Sequence, residues 1–163
     1  FFTYITVGTG IRGCNIFKGV ILQNEFHPEM GHMYLGNSDV KFCEYHSHCF
    51  ESQSSGHYFS SRYKVEFNDI GAGSPEWEEI IGKLAILLYN LYAATGVEYI
   101  VLSGGLIRED MKHQLITYIE KINNSYLPIV NKKNFDQRLI LDSNADDLSL
   151  EGGMYSLNGK DLK

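Results

Sequence analysis

Two hydrophobic periods follow one another along this 163-residue chain. From Phe2 to Val7 the residues are β-branched and aromatic and run into Gly8-Thr9-Gly10, which predicts a strand and a turn. Asn15 to Gln23 predicts two further short strands around a Lys18-Gly19 turn. Nothing periodic follows for some fifty residues. The stretch 27–51 reads as an irregular loop, and Gln53 to Gly73 turns to Ser, Gly and mixed polar residues, which predicts a helix fragment plus a loop. The period then becomes helical. Trp77, Ile80, Ile81, Leu84, Leu87, Leu88 and Leu91 recur at three and four residues. Ser74 is a capping residue and Pro75 suits the first helical position. Glu76, Glu78 and Glu79 favour the positive end of the helix, and Gly96 is placed to stop it. Tyr99 to Leu102 predicts a short strand, Ser103-Gly104-Gly105 a tight turn, and Ile107 to Ile122 a second amphipathic helix. Gln137 to Leu141 predicts a last strand, and Asn144 to Leu157 a final helix containing Gly152-Gly153. Strand and helix alternate in this second half, which points to the α/β class.

Composition narrows the picture. A hydrophobic fraction of 44% and a charged fraction of 21% are those of a globular chain, one domain or one half of a two-domain enzyme. The net charge of −6 argues against broad binding to nucleic acid, which needs a basic patch. Three cysteines make no disulfide framework and favour a reducing, cytoplasmic location. The apolar run from Ile86 to Tyr92 is too short to span a bilayer, so no membrane association is expected. Phe1-Phe2-Thr3-Tyr4 has no basic leader pattern. The sequence opens directly in strand-like residues without Met, which points to a true N-terminus elsewhere.

Chemistry concentrates between positions 27 and 57, which hold five of the six histidines, and two of the three cysteines lie there too. Cys43-x2-His46-x2-Cys49, with His32 and His27 upstream, is the donor set and spacing of a closed tetrahedral zinc site. The four candidate ligands are His32, Cys43, His46 and Cys49, with His48 as an alternative at the third position. A nucleic-acid zinc finger is the rival use, but the acidic charge and the lack of a following basic helix oppose it. Glu29 and Glu51 flank the group. Such a site does not need them; they read either as acceptors for sugar hydroxyls or as solvated surface acids. Gly8-Thr9-Gly10 reads as a phosphate-binding turn or as an ordinary hairpin turn. Ser103-Gly104-Gly105 reads as backbone that a ligand can approach or as a plain strand-to-helix turn. Cys14 reads as a packed thiol, His113 as a surface residue of a helix, and Asn68-Asp69 as part of a turn.

These pieces, in this order, resemble one family. HPEMGH followed by Cys-x2-His-x2-Cys-x-Glu is similar to the zinc-containing fructokinase branch of the ROK family (repressors, open reading frames and sugar kinases). YITVGTGIRG resembles its second phosphate loop, and SPEWEEIIGKLAILLYNLYAATGVEYIVLSGGLI its long helix, strand and adenosine-side turn. The likeness runs from about Thr3 to Glu120. It implies the C-terminal domain of a two-domain, actin-like (ribonuclease H-like) ATPase fold and transfer of the γ-phosphoryl of ATP, with Mg2+, to a hexose, fructose first. It also implies residue roles. Gly8, Thr9 and Gly10 approach the ATP phosphates, while Gly104 and Gly105 pack on the adenosine. Glu29, His32 and Glu51 meet the sugar, with a structural zinc on His32, Cys43, His46 and Cys49 pre-orienting them.

The pattern also breaks. In the family the first phosphate loop and the catalytic aspartate come earlier, in an N-terminal domain that this sequence does not include. No catalytic base is therefore assigned, and Asn68-Asp69 falls on the wrong side of the glycine turn to be one. Arg12 and Cys14 stand where the family usually has Gly; Arg12 can crowd the phosphates or bind them. Two functions follow as expectations. The first is half of an ATP-dependent sugar kinase, inactive until the N-terminal half is supplied. The second is a non-catalytic, zinc-stabilised remnant that serves as a structural or protein-binding module. Both leave an apolar face for a partner, either the missing half, another protein or a second copy.

Overall fold

The computed structural model describes residues 1–22, 28–36, 38, 42–126 and 132–143. His27 and the helix expected over 144–157 lie outside these residues. One five-stranded sheet organises the described chain, in the order β3-β2-β1-β4-β5. Strand β1 (Phe2–Val7) pairs antiparallel with β2 (Ile11–Phe17), and β2 with β3 (Val20–Ile21) around the expected Lys18-Gly19 turn. Strand β4 (Tyr99–Ser103) lies parallel to β1, and β5 (Leu139–Asp142) parallel to β4. Alternation sets the faces: Thr3, Ile5 and Val7 of β1 are fully buried, while Phe2, Tyr4 and Thr6 are not.

Helix α3 (Pro75–Thr95) covers the buried face and pairs with α4 (Met111–Ser125). Its start is as the sequence predicts. Ser74 Oγ accepts from Trp77 N at 3.2 Å, and Gly96 ends the helix in the left-handed conformation. Ile80, Ile81, Leu84, Leu87 and Leu88 are fully buried. Among the described residues no helix is long and apolar enough to cross a membrane.

Elsewhere the boundaries move. Strand β2 begins at Ile11 rather than Asn15, so the glycine-rich segment shrinks to a three-residue turn. Helix α4 begins at Met111 rather than Ile107, because Leu106 and Ile107 are buried in the preceding turn and act as its apolar anchors. Helix α5 (Lys132–Arg138), unforeseen in the sequence, leads into β5. The region 50–69 is more regular than its Ser and Gly content indicates. It holds α1 (Phe50–Ser54), α2 (Gly56–Tyr63) and a 3-10 turn over Phe67–Asp69. Aromatic burial supplies the order: Phe59 packs on Phe67, and Phe67 stacks on Trp77 at 5.7 Å between ring centroids.

A polar knot fastens α2 to α3. Tyr58 Oη donates to Glu79 Oε1 at 2.6 Å, and Tyr63 Oη and Lys83 Nζ also donate to the Glu79 carboxylate. Burial opposes ionisation of Glu79, but the bonds from Lys83, Tyr58 and Tyr63 outweigh it and hold the carboxyl down to about 2. Burial in turn pushes the Lys83 ammonium down, against the pull of Glu79. Glu79→Gln should therefore destabilise the chain by about 1–3 kcal/mol at neutral pH in urea unfolding. A folded carboxyl pKa below the unfolded value of about 4.3 stabilises at pH above that value. The gap between wild type and Glu79→Gln should accordingly close as pH falls toward 2; a gap that stays constant would mean that the charge on Glu79 contributes nothing.

Candidate functional site

Two glycine turns meet at the carboxyl ends of the parallel strands β1 and β4, the edge where open α/β sheets take ligands. Gly8-Thr9-Gly10 joins β1 to β2, with Gly8 N donating to Gly10 O at 2.9 Å. The first amides of α2 point at this turn: Gly56 N donates to Gly8 O at 2.7 Å and His57 N to Thr9 O at 3.2 Å. The positive end of the helix thus holds the carbonyls of the turn, and Thr9 is left exposed at the tip. On the β4 side, Gly104 adopts φ +113° and lies against the end of β1, where an added Cβ would come 2.3 Å from Val7 O. Leu106 N donates to that same carbonyl at 3.1 Å. The two turns are therefore back to back.

Glu51 connects the first turn to the acidic and histidine-rich region. It lies in the first turn of α1, where the sequence reading placed it in a loop. Its Oε2 accepts from Ile11 N and from Arg12 Nη1, both at 2.8 Å. A Cβ at position 10 would fall 2.6 Å from Oε2, so a side chain there would make the flexible end of Glu51 shift. The other oxygen, Oε1, is 3.9 Å from His32 Nε2. Glu29 Oε2 is 3.9 Å from His32 Nε2 and 3.9 Å from Arg12 Nη1. Glu29, His32 and Glu51 thus converge, with Glu51 only 16% and Glu29 54% exposed. The main-chain tie from Ile11 left no mark in the sequence, and the contacts of Arg12 were visible there only as a departure from the expected glycine.

His32 faces both ways, since its Nδ1 is 3.6 Å from Cys43 Sγ. The donor atoms of His32, Cys43, His46 and Cys49 all lie within 4.8 Å of one another. Ligands around a tetrahedral zinc sit roughly 3.3–3.8 Å apart, so small side-chain movements would bring these four onto one ion. The donor chemistry fits as well: two sulfurs and two imidazoles, with His46 Nδ1 buried and without a hydrogen-bond partner among the described residues. Burial raises the Cys49 thiol pKa, Ser52 opposes this through its hydrogen bonds, and nearby Cys43 adds to it. A bound cation would reverse that balance, because a coordinating thiol is deprotonated. Cys49 also caps α1, its Sγ accepting from Ser52 N at 3.3 Å. Main-chain ties frame the group: Leu35 N donates to His48 O at 2.7 Å and Phe50 N to Met33 O at 3.2 Å. His48 is exposed and stands outside the group. Asp69 is exposed in its 3-10 turn, His113 is exposed on α4, and Cys14 is half-buried on β2.

The chain matches the model of the ROK family over residues 2–158. It is 36% identical over 129 residues to a putative fructokinase of Bacillus subtilis, covering 76% of this chain and 43% of that protein. It is 30% identical over 157 residues to a fructokinase of Zymomonas mobilis, covering 91% and 51%. The chain therefore spans about half the length of the curated relatives it matches. Among solved structures, the ROK hexokinase of Thermus thermophilus matches with TM-score 0.62 and 21% identity, over 86% of this chain and 50% of that one. A ROK-family glucokinase of Streptomyces griseus, solved with glucose and AMPPNP, matches with TM-score 0.55 and 19% identity, over 77% and 50%. At these identities the structures speak for the fold, which is the actin-like ATPase fold.

The back-to-back turns give a paired test. Gly104→Ala meets both a positive φ and the Val7 carbonyl, and should destabilise by about 2–4 kcal/mol. Gly105→Ala meets no atom within 4 Å and should stay within about 0.5 kcal/mol of wild type. Equal unfolding midpoints for the two variants would remove the close approach of β1 and the second turn.

Proposed function

The chain belongs to the ROK family, and we propose that it is the C-terminal half of an ATP-dependent hexose kinase whose preferred sugar is fructose. One observation carries this reading. The carboxylate of Glu51 binds the main chain beside Gly10 and at the same time lies 3.9 Å from His32, whose other nitrogen faces the sulfur of Cys43. A phosphate turn, a pair of acids and a metal-type group are thus built as one piece. The fructokinase names of the relatives favour a hexose, and the glucokinase solved with glucose and AMPPNP favours a sugar-plus-nucleotide site in this fold.

On this reading each residue has a task. Gly8, Thr9 and Gly10 present main chain and a hydroxyl to the phosphates of MgATP, and Gly104 and Gly105 offer a surface without side chains to the adenosine. Glu29 and the free oxygen of Glu51 accept sugar hydroxyls, with His32 Nε2 beside them. A zinc ion on His32, Cys43, His46 and Cys49 is structural: it closes the loop and fixes the His32 ring, so the acids meet the sugar already oriented. The base for the accepting hydroxyl and the first phosphate loop come from the other half of the kinase, which docks on the same edge of the sheet.

Metal analysis of the purified chain should find one zinc, and Cys43→Ser or strong chelation should remove it and lower the melting temperature. Unchanged melting without metal would make the cluster a mere packing of side chains. In calorimetric titrations, Glu29→Gln and Glu51→Gln should each weaken fructose binding about tenfold or more, since a charged acceptor becomes an amide. Folding should survive, because Glu29 is exposed and the amide oxygen introduced by Glu51→Gln can still accept from Ile11 N. Fructose affinity that persisted through both changes would overturn the assignment of the acids. ADP binding tests the kinase itself; its absence in a folded, zinc-loaded chain would leave the non-catalytic, partner-binding alternative.

A further inference from the structure

Arg12 is the second residue of β2, opposite Thr6 of β1. Its Nη1 donates to Ile11 O at 3.1 Å and to Glu51 Oε2 at 2.8 Å. The same atom lies 3.9 Å from Glu29 Oε2 and 3.7 Å from the position of a Cβ on Gly10. One guanidinium nitrogen therefore binds the hairpin main chain and Glu51 and lies near Glu29. The side chain is nonetheless 61% exposed. These contacts run through Nη1, while a guanidinium carries five N–H donors in a planar fork. With the side chain largely exposed, the rest of that fork has, among the described residues, room for a ligand.

The electrostatics of this position are specific. Glu51 is largely buried beside a second carboxylate. An anionic group arriving there meets two negative charges unless a cation stands between. Arg12 is that cation, held in place by Glu51. A sugar hydroxyl has no need of it, because Glu29 and the other oxygen of Glu51 already accept. An oxyanion does.

We propose that Arg12 contacts the transferring phosphoryl group, as an arginine supplied from within the chain. This inference rests on the kinase reading above. As the bond from the γ-phosphorus to the oxygen of ADP breaks and the bond to the sugar oxygen forms, the hydroxyl proton passes to the base of the other half. Arg12 takes no part in the proton transfer. It donates to the phosphoryl oxygens, where charge is spread in such transfers, and it shields them from Glu51 and Glu29.

The test is calorimetric titration of the zinc-loaded chain with MgADP, MgAMPPNP and fructose, for wild type, Arg12→Gly and Arg12→Lys, with circular dichroism as the check on folding. Arg12→Gly should weaken MgAMPPNP about tenfold or more, one charge-assisted contact, and leave MgADP and fructose within about threefold of wild type. Arg12→Lys should recover part of the MgAMPPNP affinity, since it keeps the charge but not the fork. An unchanged ratio of MgAMPPNP to MgADP affinity in Arg12→Gly overturns the proposal. A loss confined to fructose overturns it too, and makes Arg12 a positioning residue for Glu51. If wild type binds fructose and both nucleotides, either failure touches Arg12 alone. If wild type binds none of the three, the kinase reading falls and this inference falls with it.

Discussion

A carboxylate seated on a glycine governs this site. Glu51 accepts from the Ile11 amide beside Gly10, where a Cβ would stand 2.6 Å from Oε2 and make the carboxylate shift. The bond fixes the hairpin turn relative to α1. Helix α1 is in turn capped by Cys49, which belongs to the group of sulfur and imidazole donors. The turn, the acids and the donor group are thus linked through Glu51 and α1. A largely buried carboxylate is costly unless it is hydrogen-bonded or paired. Here the Ile11 amide and the Arg12 guanidinium bind Oε2, while Oε1 lies 3.9 Å from His32 Nε2.

The sequence revealed the parts of this arrangement with strong local causes. The Ser74-Pro75 start and the Gly96 stop of α3 are set by main-chain chemistry at the helix ends, and the structure has both. Strand β1 and the Lys18-Gly19 turn are likewise local. The four metal-type donors were legible because sulfur and imidazole at such spacing have few other uses. What stayed hidden depends on distant packing. Helix α2 forms in a Ser-rich, weakly periodic stretch because Tyr58 and Phe59 are buried and Glu79, far along the chain, receives the hydroxyls of Tyr58 and Tyr63. Leu106 and Ile107 look like the opening of a helix, yet they serve a turn that Gly104 forces against β1. The contact of Arg12 with Glu51 joins residues 39 apart and could not be read from the sequence.

Support for the Gly8-Thr9-Gly10 turn also comes from farther away. The turn is held from below by the first amides of α2, through Gly8 O and Thr9 O. Helix α2 has only eight residues and little intrinsic stability. It persists because Ser55 caps it and because Tyr58, Phe59 and Tyr63 tie it to α3 and the aromatic cluster. The Glu79–Lys83 pair therefore acts on the glycine turn without touching it. Loosening that pair frees α2, and a freed α2 no longer orients the two carbonyls of the turn. By this route, pH low enough to protonate Glu79 would loosen the tie between α2 and α3 and, with it, the support that α2 gives the Gly8-Thr9-Gly10 turn.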